Sequence, residues 1–133
     1  MVEKTFPADD AYLASALEFT EEELDNLGSP LKSVMQITVC VEEMFVNVAH
    51  YAYEGKNGDV TLVIDGNGGA ISITLIDSGI PFDPLARPDP DVTLSAEERK
   101  IGGLGIYMVK QTMDKVHYER KDGKNIFTMI KNI

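Results

Sequence analysis

The run Val41-Glu42-Glu43-Met44-Phe45-Val46-Asn47-Val48-Ala49-His50-Tyr51-Ala52-Tyr53 decides how the rest of the chain is read. It closes an apolar segment that starts near Leu31 and stops before Gly55, long enough for a helix and too hydrophobic for an ordinary surface one. At about 100° per residue, Val34, Val41, Phe45, Val48 and Ala52 share one sector and face a core. Gln36, Glu43, Asn47 and His50 cluster nearly opposite, with Glu43 and Asn47 one turn apart. If both sides of this helix are covered, the polar stripe must line a wet cavity or a ligand, because burying an unpaired carboxylate is prohibitive. If only one side is covered, Glu43 and Asn47 simply stand in solvent, and the pair alone does not choose between the two.

Upstream, Val2 to Phe6 reads as a short strand and Pro7 with Asp9-Asp10 as a turn. A first helix is expected over Ala8 to Asn26, with Leu13, Ala16, Leu17 and Leu24 on one side, and Leu27-Gly28-Ser29-Pro30 stops it. The acidic run Glu21-Glu22-Glu23 reads as a solvated face. The second helix is expected over Leu31 to Tyr53. Downstream, Val60 to Asp65 and Ala70 to Asp77, joined by Gly66-Asn67-Gly68-Gly69, alternate as a β-hairpin.

The second hairpin strand ends in Asp77-Ser78-Gly79, a carboxylate before a turn, which could accept from an exocyclic amine or merely cap the strand as an Asx turn. A Pro- and Asp-rich stretch from Pro81 to Asp91 and a charged one from Ala96 to Lys100 follow. So long a loop in a small domain points to a covered site or to disorder. Gly102-Gly103-Leu104-Gly105-Ile106 then opens a third helix that is expected to reach Lys115. Its free N–H groups and dipole could meet anionic oxygens, or its glycines could serve as a hinge or close packing. Val116 to Lys121 and Asn125 to Lys131, turned by Asp122-Gly123-Lys124, close the chain as two more strands.

Composition bounds the possibilities. The 133 residues, 44% hydrophobic and 26% charged, suit one globular domain without room for a second core. The single cysteine, Cys40, cannot form a disulfide within the chain. With 22 acidic against 12 basic side chains the formal net charge is -10, which repels phosphate backbones and anionic lipid. Nucleic acid and membrane are therefore excluded as partners. No signal-like amino terminus and no run near 18 apolar residues is present, so a cytoplasmic protein is expected.

Taken in order, Glu43-Met44-Phe45-Val46-Asn47, Asp77-Ser78-Gly79 and Gly103-Leu104-Gly105 resemble the N box and the two glycine boxes of the GHKL superfamily, the Bergerat-fold ATPases that include gyrase, MutL and histidine kinases. No Rossmann or P-loop signature competes. The small size, the leading strand and helix, and the stretch through Tyr53 most resemble the anti-sigma factor serine-protein kinases of bacterial partner switching. No dimerisation helix with a phosphoacceptor histidine precedes the domain, so a complete sensor histidine kinase is not expected, and His50 and His117 are poor candidates for that role.

The resemblance implies a two-layer α+β Bergerat sandwich over residues 1–133: a mostly antiparallel, mixed sheet covered on one face by about three helices. It implies ATP and Mg²⁺ as cofactors, with an ATP lid over about 84–102. Glu43 would be the general base, Asn47 the Mg²⁺ ligand and Asp77 the adenine acceptor, with Gly79 letting the base lie close. Gly103-Leu104-Gly105 would hold the phosphates through the N–H groups of Gly103 and Gly105. Arg87, Arg99 and Lys100, the basic residues of the lid, read as neutralising phosphate, contacting a partner or serving solubility. The implied partners are a STAS-like anti-sigma factor antagonist, a sigma factor and a second copy of the chain, docked through helix one or an exposed sheet face.

Departures from the family pattern are Pro81 after Gly79-Ile80, Tyr51-Ala52-Tyr53 at the helix end and the absence of a Glu-Arg-Ser-Gly run in the lid. Asn125 and Thr128 fall near where a threonine would read adenine, and neither is assigned a site role. Two alternatives stand beside the kinase: an ATP-dependent interaction module without phosphotransfer, and an adaptor with no nucleotide at all. Cys40 reads as a core thiol, and Met35, Met44, Met108, Met113 and Met129 as core fillers. His50 reads as a hydrogen-bonded helix-end histidine, and Tyr51 and Tyr53 as covers for that end.

Overall fold

The computed structural model describes residues 1–86 and 104–133. Strand β1 (Val2–Pro7) leads into helix α1 (Leu13–Asn26) and the 21-residue helix α2 (Leu31–Tyr51). Strands β2 (Asp59–Asn67) and β3 (Ala70–Asp77) follow, then helix α3 (Leu104–Thr112) and strands β4 (Lys115–Lys121) and β5 (Lys124–Asn132). The strands form one sheet in the order β1-β2-β3-β5-β4. All four pairings are antiparallel, so the expected mixed character is absent among the described residues.

Strand alternation explains why one face carries the core. Val60, Leu62 and Ile64 of β2, Ile71, Ile73 and Leu75 of β3, and Phe127 and Met129 of β5 all point to the helical side and are buried. Helix α2 lays Ile37, Val41, Met44, Phe45 and Val48 against them, and α1 adds Ala16 and Leu24. Phe6 joins the layers, its ring 6.0 Å from Phe19 and 6.5 Å from Phe45. Thr20 is fully buried, and its hydroxyl donates to the Ala16 carbonyl at 2.8 Å, which satisfies it inside the core. The Cys40 thiol sits in the same core, pushed up to about 11 by burial.

Both hairpins turn through two residues of positive φ. Gly68 and Gly69 lie at +59° and +91°, and Asp122 and Gly123 at +54° and +74°, the mirror-image turn that matches strand twist. The glycine turn is thus tighter than the four-residue linker expected, and β2 runs on to Asn67. Helix α1 starts at Leu13 rather than Ala8. Asp9 takes an extended backbone and accepts from the Ala11 N–H at 2.9 Å, capping a 3-10 turn over Asp10–Tyr12 instead. Helix α2 stops at Tyr51, before Glu54 and Gly55, which both have positive φ. Helix α3 ends at Thr112, short of Lys115, because the Asp114 N–H donates to the Ile130 carbonyl at 2.9 Å and draws the chain into the sheet.

One core assignment is corrected. Met44, Met113 and Met129 are buried and Met108 is half-buried outside the core cluster, but Met35 is 62% exposed. It lies with Leu31 and Val39 at i, i+4 and i+8 on the side of α2 that neither the sheet nor α1 reaches.

Candidate functional site

Two depressions run end to end along α2. The first, with about 410 Å³ of empty space including its open mouth, is walled by apolar side chains such as Val48, Leu75 and Phe127, and Asp77 and Asn125 form its polar end. The second, about 530 Å³ on the same measure, is lined by Glu43, His50, Gly105 and Ile106. Met44, Asn47 and Tyr51 line both, so the two make one cleft with Asn47 at its waist. The stripe read from the sequence therefore faces a cleft along part of its length: Asn47 is half-buried there, while Glu43 stands exposed at the rim.

Asp77 closes β3 and is only 6% exposed. Burying a carboxylate is costly, and the cost is offset by two donors on one oxygen: the Gly79 N–H and Asn125 Nδ2, each 2.9 Å from Oδ1. The Asx turn considered from the sequence is therefore formed. Oδ2 accepts no hydrogen bond among the described residues, and no buried side-chain oxygen there is without a partner, so Oδ2 is open to the pocket. The turn is held from its other side by the end of α2. The Ile80 N–H donates to the Ala52 carbonyl at 2.8 Å. A Cβ on Gly79 would collide with that same carbonyl, so only glycine lets the turn lie so close. The Tyr53 hydroxyl accepts from the Ser78 N–H at 2.9 Å and donates to the Asp59 carbonyl. Burial raises the Tyr53 phenol above its ordinary range, opposed in part by the bond to Ser78.

At the other end, Glu43 and Gly105 meet. A Cβ on Gly105 would fall within the contact distance of Glu43 Oε2, so the missing side chain is what lets α3 approach the carboxylate. Leu104 opens α3. Gly103, Arg87, Arg99, Lys100 and most of the expected lid lie outside the described residues. His50 has the plainer of its two readings: Nε2 donates to Asp10 Oδ2 at 2.7 Å and ties the end of α2 to the 3-10 turn. Tyr51 is 59% exposed over the waist of the cleft.

Glu43, Asn47, Asp77 and Gly105 are thus brought around one cleft, whereas Gly79 lines a separate depression with Tyr53 and Ser78 and serves the close packing of the turn on α2. Asn125 joins them without having been assigned a role. Its signal was present: it occupies the inward position two residues before Phe127 and four before Met129, where an amide is out of place unless it is bonded.

The residues fit a purine nucleotide. An apolar slot ends in one open acceptor oxygen, and the far end presents a glycine-lined helix start beside an amide and a carboxylate. A one-sided α+β sandwich with this cleft along its central helix is the architecture of an ATP-binding domain of the histidine-kinase type. The description of the histidine kinase-like ATPase domain matches residues 6–131, and the chain belongs to that family. It is 26% identical over 94 residues to the serine/threonine-protein kinase BtrW of Bordetella bronchiseptica, covering 70% of this chain and 66% of that one. It is 25% identical to the anti-sigma F factor of Clostridium acetobutylicum, over 91% of this chain and 78% of the relative. To the serine-protein kinase RsbW of Bacillus subtilis it is 24% identical, over 94% and 81%. The RsbU and RsbW domains of Rv1364c from Mycobacterium tuberculosis share the fold, with a TM-score of 0.63 and 14% identity over 99% of this chain and 32% of that one. The chain thus spans just under two thirds of BtrW and about a third of the Mycobacterium chain. Among the described residues, no helix is long and apolar enough to cross a membrane.

Proposed function

We propose that this chain binds Mg-ATP along α2 and transfers the γ-phosphate to a serine of a STAS-like anti-sigma factor antagonist, and that it sequesters a sigma factor when the antagonist is absent. The observation that carries this reading is the division of one helix-lined cleft into a buried recognition end and an exposed reaction end. Asp77, 6% exposed, can accept from the adenine amine through Oδ2, while Glu43 stands at the rim where the hydroxyl of a second protein can reach it.

Each residue then has a task set by its chemistry. Asn47, an amide oxygen at the waist, would hold Mg²⁺, which when bound would supply positive charge to neutralise the phosphates. Gly105, at the start of α3, would offer its backbone N–H to phosphate oxygens, a task the family resemblance also gives to Gly103. Glu43 takes the serine proton as the serine oxygen bonds to phosphorus and the bond to the β-phosphate oxygen breaks, leaving ADP and phosphoserine. The relatives named as kinases and as an anti-sigma factor support this reading. A homodimer belongs to it as well: the sheet face away from the helices carries half-buried Val63, Ile76, Ile126 and Ile130, with no helix over it among the described residues.

The test is a calorimetric titration of Mg-ATP into the wild type and Asn47→Ala, followed by transfer from γ-labelled ATP to purified antagonist proteins by the wild type and Glu43→Ala. The kinase reading expects binding weakened by Asn47→Ala or by withdrawal of Mg²⁺, and Glu43→Ala that binds but does not transfer. Binding without transfer by the wild type to any antagonist leaves an ATP-dependent interaction module. No binding at all leaves a protein-binding adaptor.

A further inference from the structure

Asn125 is 5% exposed and lies opposite Asp77 across the β3–β5 pairing. Its Nδ2 donates to Asp77 Oδ1 at 2.9 Å and to the Ile80 carbonyl at 2.8 Å. Its Oδ1 accepts from the Tyr118 hydroxyl at 2.6 Å, Arg120 Nη1 at 3.2 Å and the Phe82 N–H at 3.3 Å. Chemistry fixes the orientation of this amide. The Ile80 carbonyl and the carboxylate can only accept, and the Arg120 and Phe82 N–H groups can only donate, so turning it over would face oxygen to oxygen and N–H to N–H. Arg120 Nη1 also donates to the Gly79 carbonyl at 2.8 Å, which bonds the edge strand β4 to the turn after Asp77.

Two consequences follow. The amide is fully used by the protein and keeps nothing for a ligand, so it acts on a bound base only through Asp77. Asp77, with Oδ1 occupied twice over, cannot rotate without losing bonds, and it offers the pocket one oxygen that accepts. A purine with an amino group at that point donates to it; a purine with a carbonyl oxygen there sets acceptor against acceptor.

We propose that Asn125, braced by Tyr118 and Arg120, is a positioning residue that holds Asp77 with a single acceptor toward the pocket and thereby sets the preference for 6-amino over 6-oxo purine nucleotides. This rests on the ATP reading above and assigns its selectivity to residues outside the glycine boxes.

The test is titration of Mg-ATP and of Mg-GTP into the wild type, Asn125→Asp, Arg120→Ala and Tyr118→Phe, with melting temperatures measured alongside. Asn125→Asp removes the amide donor to Asp77 Oδ1 and sets two carboxylates face to face, so Asp77 is no longer held with one fixed acceptor toward the pocket. The ATP-to-GTP affinity ratio is expected to fall about tenfold or more in Asn125→Asp, and by a smaller factor in Arg120→Ala and Tyr118→Phe. Arg120 is exposed and Tyr118→Phe keeps the ring, so these two carry the test if Asn125→Asp does not fold. Affinities for both nucleotides that fall together, at constant ratio, would overturn the inference and leave Asn125 a structural residue. Equal binding of ATP and GTP by the wild type overturns the inference alone. Binding of neither overturns the ATP reading and the inference with it.

Discussion

Gly105 separates what a residue does for the fold from what it does for the site. Within a helix, Gly→Ala ordinarily stabilises by up to about 1 kcal/mol, because glycine loses more backbone entropy. Here the added Cβ would press on the Glu43 carboxylate. On the kinase reading, Gly105→Ala is therefore expected to melt at or above the wild-type temperature while phosphotransfer falls, and a variant that keeps full transfer would show that the exposed Glu43 side chain turns aside from the added methyl without loss. Cys40 gives a second expectation. Its thiol, at about 11 against an ordinary 9.0, stays protonated in the fold at pH values where the unfolded chain ionises. The folded state then binds more protons, so stability is intact below about pH 9 and falls as pH rises toward 11, by at most about 1.4 kcal/mol per unit. Tyr53, also raised, acts with the same sign. Denaturant melts between pH 8 and 11, repeated on Cys40→Ala, would show a shallower alkaline loss in the variant.

At the scale of elements, α2 builds the core and the site at once. Phe45, fully buried between the sheet and Phe6, anchors it, and Phe45→Ala is expected to cost about 3–5 kcal/mol, read as a lowered denaturation midpoint. The helix was legible because its apolar and polar sectors both persist over several turns, and the hairpins because Gly68-Gly69 and Asp122-Gly123 supply the positive φ that two-residue turns need. Glu43, Asn47, Asp77 and Gly105 could be picked out by residue type and order. Three features were less legible. The 3-10 turn before α1 depends on which aspartate caps. The exposure of Met35 depends on where α1 lies. The Asp77–Asn125 contact depends on the β3–β5 register, a pairing of residues 48 apart that local pattern does not contain.

For the whole molecule, covering one face of the sheet leaves the other to a partner or to water. Ile126 sits in the middle of the open face, paired with Ile76 on one side and Glu119 on the other. If that face forms the homodimer, Ile126→Lys is expected to halve the mass measured by light scattering and leave Mg-ATP affinity unchanged, whereas an unaltered mass would take this face out of the dimer. The division of the cleft along α2 also makes that helix a measuring rod. From Glu43 to Ala52, beside which Gly79 packs, the axis rises about 13 Å, and a helix clamped to a sheet along its length does not stretch. On the ATP reading, a nucleotide anchored by its base at one end would have its phosphates held at that fixed distance along the helix, toward the rim where Glu43 stands. On that reading the spent nucleotide would keep every contact it makes at the Asp77 end, because transfer changes only what lies at the other end of the rod.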